Sequence, residues 1–190
     1  MASMSSRNNA RCSSTFSRAQ RLTECHGHHT NHFYSRHFRV ETIGDCYVAV
    51  TGLPEPRKDH AVLMARFARD CLLKMRELTT KLEVTLGPDT GDLTMRFGLH
   101  SGPVTAGVLR GEKSRFQLFG DTVNTAARME STGEINRIQL AEETASKLRE
   151  AGKERWFEAR EDKVHAKGKG ELQTYWLFPK DKNRKLESNK

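Results

Sequence analysis

Long apolar runs are absent from this 190-residue sequence. No stretch approaches the roughly 18 residues of a membrane-spanning helix, so no segment reads as one. Cysteine is scarce: Cys12, Cys25, Cys46 and Cys71 are the full set. Four scattered thiols make no disulfide framework and point to a reducing compartment. Cys46 in a strand pattern and Cys71 in a helical pattern read as buried free thiols. Acidic residues are nearly missing from the N-terminal fifth. Glu24 is the only acid before Val40, and no Asp precedes Asp45.

Positive charge is abundant but misplaced for a nucleic-acid-binding body. The formal charge is +8. Residues 1–39 hold six Arg against one Glu, and residues 180–190 hold five basic residues against two acids. Residues 40–179 hold 21 of each sign. The basicity belongs to the tails, which argues against a nucleic-acid face on the folded part. Binding of the tails to an anionic surface stays open.

The chain divides into a Ser-, Arg- and His-rich leader over 1–37, a domain over 38–179 and a basic tail over 180–190. The leader reads as disordered; an organellar transit peptide, or a stretch not native to the domain, is the alternative. Cys25-His-Gly-His-His29, with His32 and His37, has metal-friendly residue types. No second Cys pair at finger spacing accompanies it, so a polar tract is the better reading.

From Phe38 the pattern becomes regular. Phe38–Ile43 and Cys46–Thr51 predict two strands joined at Gly44-Asp45. Apolar residues from Val62 to Leu82 recur at helical spacing and predict a helix from Asp59 to about Leu82. Leu93–His100 and Val104–Leu109 predict the next strand pair, turning at Ser101-Gly-Pro103. A strand near Ile138, a helix over 141–151 and strands near Trp156 and over 172–178 follow. This order predicts an α+β fold with a ferredoxin-like βαββαβ core.

The most informative stretch runs from Arg115 to Gly133. Gly120 permits a sharp turn, and Asp121 is placed to cap the helix that starts there. Asn124 and Arg128 stand at i and i+4, on one face. An amide and a guanidinium near the positive end of a helix suit a polyanion such as a triphosphate. The same pattern is also that of an ordinary capped helix with both side chains in solvent. Gly133 closes the helix after about three turns.

Four blocks occur in order: Val40–Pro54 with Glu-Thr-Ile-Gly-Asp45, Arg96–Leu109, the Arg115–Gly133 stretch, and Ala166–Trp176 with Lys167-Gly-Lys-Gly170. Together they resemble the class III nucleotidyl cyclase catalytic domain, most closely its guanylate branch. The resemblance covers about residues 38–178. It implies conversion of GTP to 3′,5′-cyclic GMP and pyrophosphate, in cyclic-nucleotide signalling. It implies Mg²⁺ or Mn²⁺ as cofactor and a site built across a homodimer or heterodimer. It also implies a cytoplasmic position, either in a soluble protein or on the inner side of a membrane receptor.

The resemblance assigns roles by position. Asp45 matches one of two metal-binding aspartates; a Gly-Asp turn is the bland alternative. Asn124 matches the residue that orients the ribose, and Arg128 the residue that stabilises charge at the α-phosphate. Lys167 matches the lysine on the terminal phosphates, or it is a plain basic turn. Glu41 and Gln117 match the base-reading pair. Glu41 offers acceptors to guanine N1–H and N2–H₂. The adenine branch has lysine there. At Gln117 the family has cysteine for guanine or aspartate for adenine, so the sequence departs from both. A Gln amide can donate to guanine O6 or accept from adenine N6, which keeps adenylate cyclase as an alternative.

The largest departure is N-terminal. The family opens on an apolar strand that carries the first metal aspartate. Here that strand and aspartate are expected to be missing, which would leave an unpaired sheet edge and a metal site with one carboxylate. Three readings follow: a guanylate cyclase domain without its N-terminal part, a cyclase-like subunit completing a partner's metal half, and a non-catalytic nucleotide-binding domain.

Overall fold

The computed structural model describes residues 2–6, 38–43, 46–53, 55–87, 93–109, 115–166 and 168–179. Strand β1 spans Ala2–Ser6, β2 Phe38–Ile43 and β3 Cys46–Val50. Helix α1 spans His60–Leu86 and returns the chain to β4, Met95–Leu99. Then come β5 Thr105–Leu109, β6 Arg115–Phe119 and helix α2, Asp121–Ser131. Strand β7 Ile138–Ala141 leads into α3, Glu142–Glu150. A 3₁₀ turn at Glu154–Trp156 precedes β8 Phe157–Ala159. Strands β9 Val164–Ala166, β10 Gly170–Leu172 and β11 Thr174–Leu177 complete the order.

Seven strands form one sheet in the order β2-β3-β1-β4-β7-β11-β8. Only β4 and β7 pair in parallel; the other neighbours are antiparallel. The run β2-β3-β1-β4, with α1 crossing from β3 to β4, is the ferredoxin-like arrangement expected from the sequence.

Strand alternation explains the two faces. Tyr47 and Ala49, Phe97 and Leu99, Ile138 and Leu140, and Tyr175 and Leu177 all face one core. The buried stripe of α1, including Met64, Ala68 and Leu72, closes that core together with Leu148 of α3. On the opposite face Val48 packs with Ala126 of α2. There Trp176 lies under two guanidinium groups, Arg137 at 4.4 Å and Arg160 at 4.9 Å from its ring centre.

Two sequence expectations differ from the structure. Strand β1 lies within the stretch read as a disordered leader. Ala2–Ser6 fill the central seat, pairing with β3 from Ala2↔Ala49 to Ser5↔Cys46 and with β4 from Ala2↔Leu99 to Ser6↔Met95. The expected unpaired edge is therefore occupied. Sheet pairing is made by main-chain groups, so a segment without an apolar signature can supply it. It brings no carboxylate: the segment reads Ala-Ser-Met-Ser-Ser. Second, β4 and β5 do not pair with each other. Strand β5 leaves the main sheet and pairs with β6, from Thr105↔Phe119 to Leu109↔Arg115, in a separate ribbon.

Helix α2 can approach the sheet because β4 has a glycine where they meet. A Cβ on Gly98 would lie 2.1 Å from Glu130 N and 2.5 Å from Ala126 O. Neither backbone atom can yield without moving the helix. Gly98→Ala should therefore cost at least about 1 kcal/mol, as overpacked cores do. Urea unfolding measures this; an unchanged midpoint would show that α2 does not pack this closely.

Candidate active site

Helix α2 is anchored at both ends. At its start Gly120 adopts φ 126°, and Thr122 Oγ1 donates to Pro103 O at 2.6 Å. A Cβ on Gly102 would come within 2.6 Å of that same Thr122 Oγ1, so the 101–103 turn presses against the helix. At its far end Glu130 and Arg96 of β4 form a nearly buried ion pair at 2.7 Å. The chain leaves at Thr132, whose amide donates to Arg128 O at 3.0 Å. Gly133 follows, its amide on Glu130 O at 3.1 Å.

Asp121 does not cap the helix, contrary to the sequence expectation. Gly120 occupies the cap position, with no side-chain cap bond, and Asp121 is the first helical residue. Its carboxylate pairs instead with Lys169, from the turn between β9 and β10. That ammonium holds the Asp121 carboxyl below the usual carboxylate range. Beneath the pair His100 is buried, its Nδ1 3.3 Å from Glu143 Oε2. Burial pushes the His100 pKa down; Glu143 opposes that shift. His100, Glu143 and Lys169 were not singled out from the sequence. Lys169 shares the Lys-Gly-Lys-Gly signal with Lys167, and nothing in that spacing separates their roles.

Asn124 is exposed, and Arg128, one turn along, is half-buried. Arg128 Nη1 is buried and has no hydrogen-bond partner among the described residues. A cationic nitrogen withdrawn from water without an acceptor is unfavourable unless a ligand supplies one. Glu41 sits on β2 opposite Val48, beside an irregularity in the β2–β3 register between Arg39 and Glu41. Gln117 is half-buried on β6 opposite Gly107. Strands β2 and β6 adjoin, so the fold brings together the strands that carry Glu41 and Gln117. Asp45 and Lys167 lie outside the described residues.

A divalent cation is tested against these residues by its donor set. A hard cation needs several oxygen ligands, with carboxylates leading. No group of three or more His, Cys, Asp or Glu side chains that could hold a metal ion occurs among the described residues. Ala2–Ser6, in the central seat, offer no carboxylate. The described residues therefore do not make a metal-binding set by themselves.

The model of the adenylate and guanylate cyclase catalytic domain matches residues 14–179. The chain belongs to that family. Guanylate cyclase soluble subunit beta-2 of Rattus norvegicus is 38% identical over 167 residues, covering 87% of this chain and 22% of the relative. Receptor-type guanylate cyclase gcy-28 of Caenorhabditis elegans is 43% identical over 141 residues, covering 74% of this chain and 10% of the relative. This cyclase domain thus spans a fifth or less of the length of many such relatives, and 22% of the rat subunit. Among solved structures, the guanylate cyclase domain of RhGC from Catenaria anguillulae, in complex with GTP, is 32% identical with a TM-score of 0.71, covering 93% of each chain. The adenylyl cyclase CyaB from P. aeruginosa is 20% identical at TM-score 0.69, a likeness of fold alone. The cyclase fold also carries no helix, among the described residues, long and apolar enough to cross a membrane.

Proposed function

We propose that this chain is a guanylate cyclase domain whose own residues supply the ribose, base and α-phosphate contacts of the site. The ribose 3′-oxygen attacks the α-phosphorus of GTP. A new O3′–P bond forms, the bond to the bridging oxygen breaks, and pyrophosphate leaves. Arg128 meets the charge that grows on the α-phosphate oxygens. Asn124, one turn earlier on the same face, holds the ribose near attack geometry. Glu41 and Gln117 read the guanine edge, and Lys167 holds the terminal phosphates. Asp45 is this chain's candidate ligand for a divalent cation, Mg²⁺ or Mn²⁺, which would supply charge neutralisation to the triphosphate.

The observation that carries this reading is the buried Arg128 Nη1, which has no hydrogen-bond partner among the described residues, one helical turn from exposed Asn124. A preformed cationic donor with no acceptor among the described residues suits charge that appears only during reaction. A dimeric site is supported by the β5–β6 ribbon, which exposes Val108 at 61% and Phe119 at 40%. Exposed apolar surface on this ribbon suits contact with a second cyclase domain. The names of the relatives, soluble subunit and receptor-type, suit a cytoplasmic domain working in cyclic-nucleotide signalling.

A second reading has its own support: a cyclase-like subunit that completes a partner's metal half. The carboxylate-free β1 favours it, while the retention of Glu41 and Asp45 favours the first. Both readings predict that the purified chain alone shows little or no cyclisation of GTP with Mg²⁺ or Mn²⁺. Both also predict activity when it is mixed with a metal-competent cyclase domain whose own Asn and Arg positions are disabled. Robust turnover by the homogeneous chain would show that other residues supply the missing carboxylate.

A further inference from the structure

Among the described residues, strands β9 and β10 pair only with each other, from Gly170↔Ala166 to Leu172↔Val164, outside the seven-stranded sheet. A lone two-stranded ribbon is marginal in water and needs docking to hold a fixed position. Its turn is built around one residue. Gly168 at φ 80° and Gly170 at φ 71° both take left-handed backbone, and Lys169 lies between them. The Lys169 side chain is only 27% exposed and ends on the Asp121 carboxylate. Asp121 in turn opens α2, at the end fixed by the Thr122–Pro103 bond. The buried His100 ring lies near both charges, while the contact itself stays at the surface, with the Asp121 side chain 68% exposed.

We infer that Lys169 and Asp121 are a positioning pair that docks the β9–β10 ribbon onto the N-terminal end of α2. Neither side chain needs to touch substrate. The pair holds the turn residues Gly168–Gly170 at a set place relative to the helix bearing Asn124 and Arg128. It also neutralises a carboxylate that would otherwise repel an incoming polyphosphate at a helix N-terminus. Of the two lysines of the Lys-Gly-Lys-Gly turn, Lys169 then binds the protein. The docking stands on the geometry; its consequence for GTP rests on the guanylate cyclase reading.

The test uses the full chain and two readouts. Hydrogen exchange of the ribbon amides over 164–172 is measured for the parent, Lys169→Met, Asp121→Asn, the double variant and the charge swap Asp121→Lys with Lys169→Asp. Each single variant should speed exchange by about 2- to 5-fold, as expected for loss of one surface ion pair. The double variant should do no more than either single, because one interaction has been removed. The swap should recover much of the protection. In the mixture with the metal-competent domain, KM for GTP should rise by a similar factor in the single variants, with kcat within about twofold. Lys169→Arg should keep the parent KM. Unchanged exchange in either single variant, or additive effects in the double, would overturn the pairing. A mixture that never turns over GTP, with exchange responding as stated, would contradict the guanylate cyclase reading and leave the docking established.

Discussion

Arg128→Ala should lower GTP turnover by the mixed dimer by about 10²- to 10³-fold, the range seen when one preorganised transition-state donor is removed. The reasoning begins with position. Asp121–Ser131 is held by Gly98 close to β4 and by the Arg96–Glu130 pair at its far end. A helix fixed this way can present a guanidinium at a set place. Arg128 is half-buried and leaves one nitrogen without an acceptor among the described residues. In a site of reduced dielectric that nitrogen is worth most when negative charge arrives on an α-phosphate oxygen. Loss should therefore fall on kcat more than on KM. Steady-state kinetics of the parent and Arg128→Ala in the mixture measure it. Equal rescue by both would remove Arg128 from the mechanism.

The base provides the second large effect. Glu41→Lys together with Gln117→Asp should move preference from GTP towards ATP by one to two orders of magnitude. Strands β2 and β6 adjoin, and Gln117 is half-buried on the second of them. The double change removes the carboxylate that accepts from guanine N1–H and N2–H₂. It supplies instead a donor and an acceptor suited to adenine. An unpaired donor in a closed pocket costs about 1–3 kcal/mol, which sets the size of the shift. The ratio of kcat/KM for the two nucleotides, parent against variant, is the measurement. An unchanged ratio would mean that neither residue reads the base.

Much of this fold was legible in the sequence because its signals were local. Phe38–Ile43 and Cys46–Val50 pair as antiparallel strands, as their composition predicts; the Gly44-Asp45 turn lies outside the described residues. The apolar stripe from Ala61 to Leu72 lies buried along α1. What escaped was set by tertiary pairing. Ala2–Ser6 have no strand-like composition, yet gain main-chain partners on both sides. Strand β5 follows β4 closely but pairs with β6, because the 101–103 turn packs on Thr122 rather than closing a hairpin.

The site was readable in the same uneven way. Asn124 and Arg128 share a helix, so their spacing alone placed them near each other. Glu41 and Gln117 come from distant strands; in the sequence only the resemblance joins them, and in the fold β2 and β6 adjoin. The residue type and position of Asp121 suit a helix cap. The Lys169 ammonium, 48 residues away, claims its carboxylate instead. No local pattern could have disclosed that partner.

The most direct test is the product formed when this chain is mixed with a metal-competent cyclase domain whose own Asn and Arg positions are disabled. GTP and ATP are supplied together, and cyclic nucleotides are separated and quantified. The account predicts 3′,5′-cyclic GMP in the mixture, with little from either protein alone and less cyclic AMP. No cyclic nucleotide above the separate controls, although the two proteins associate, would contradict it.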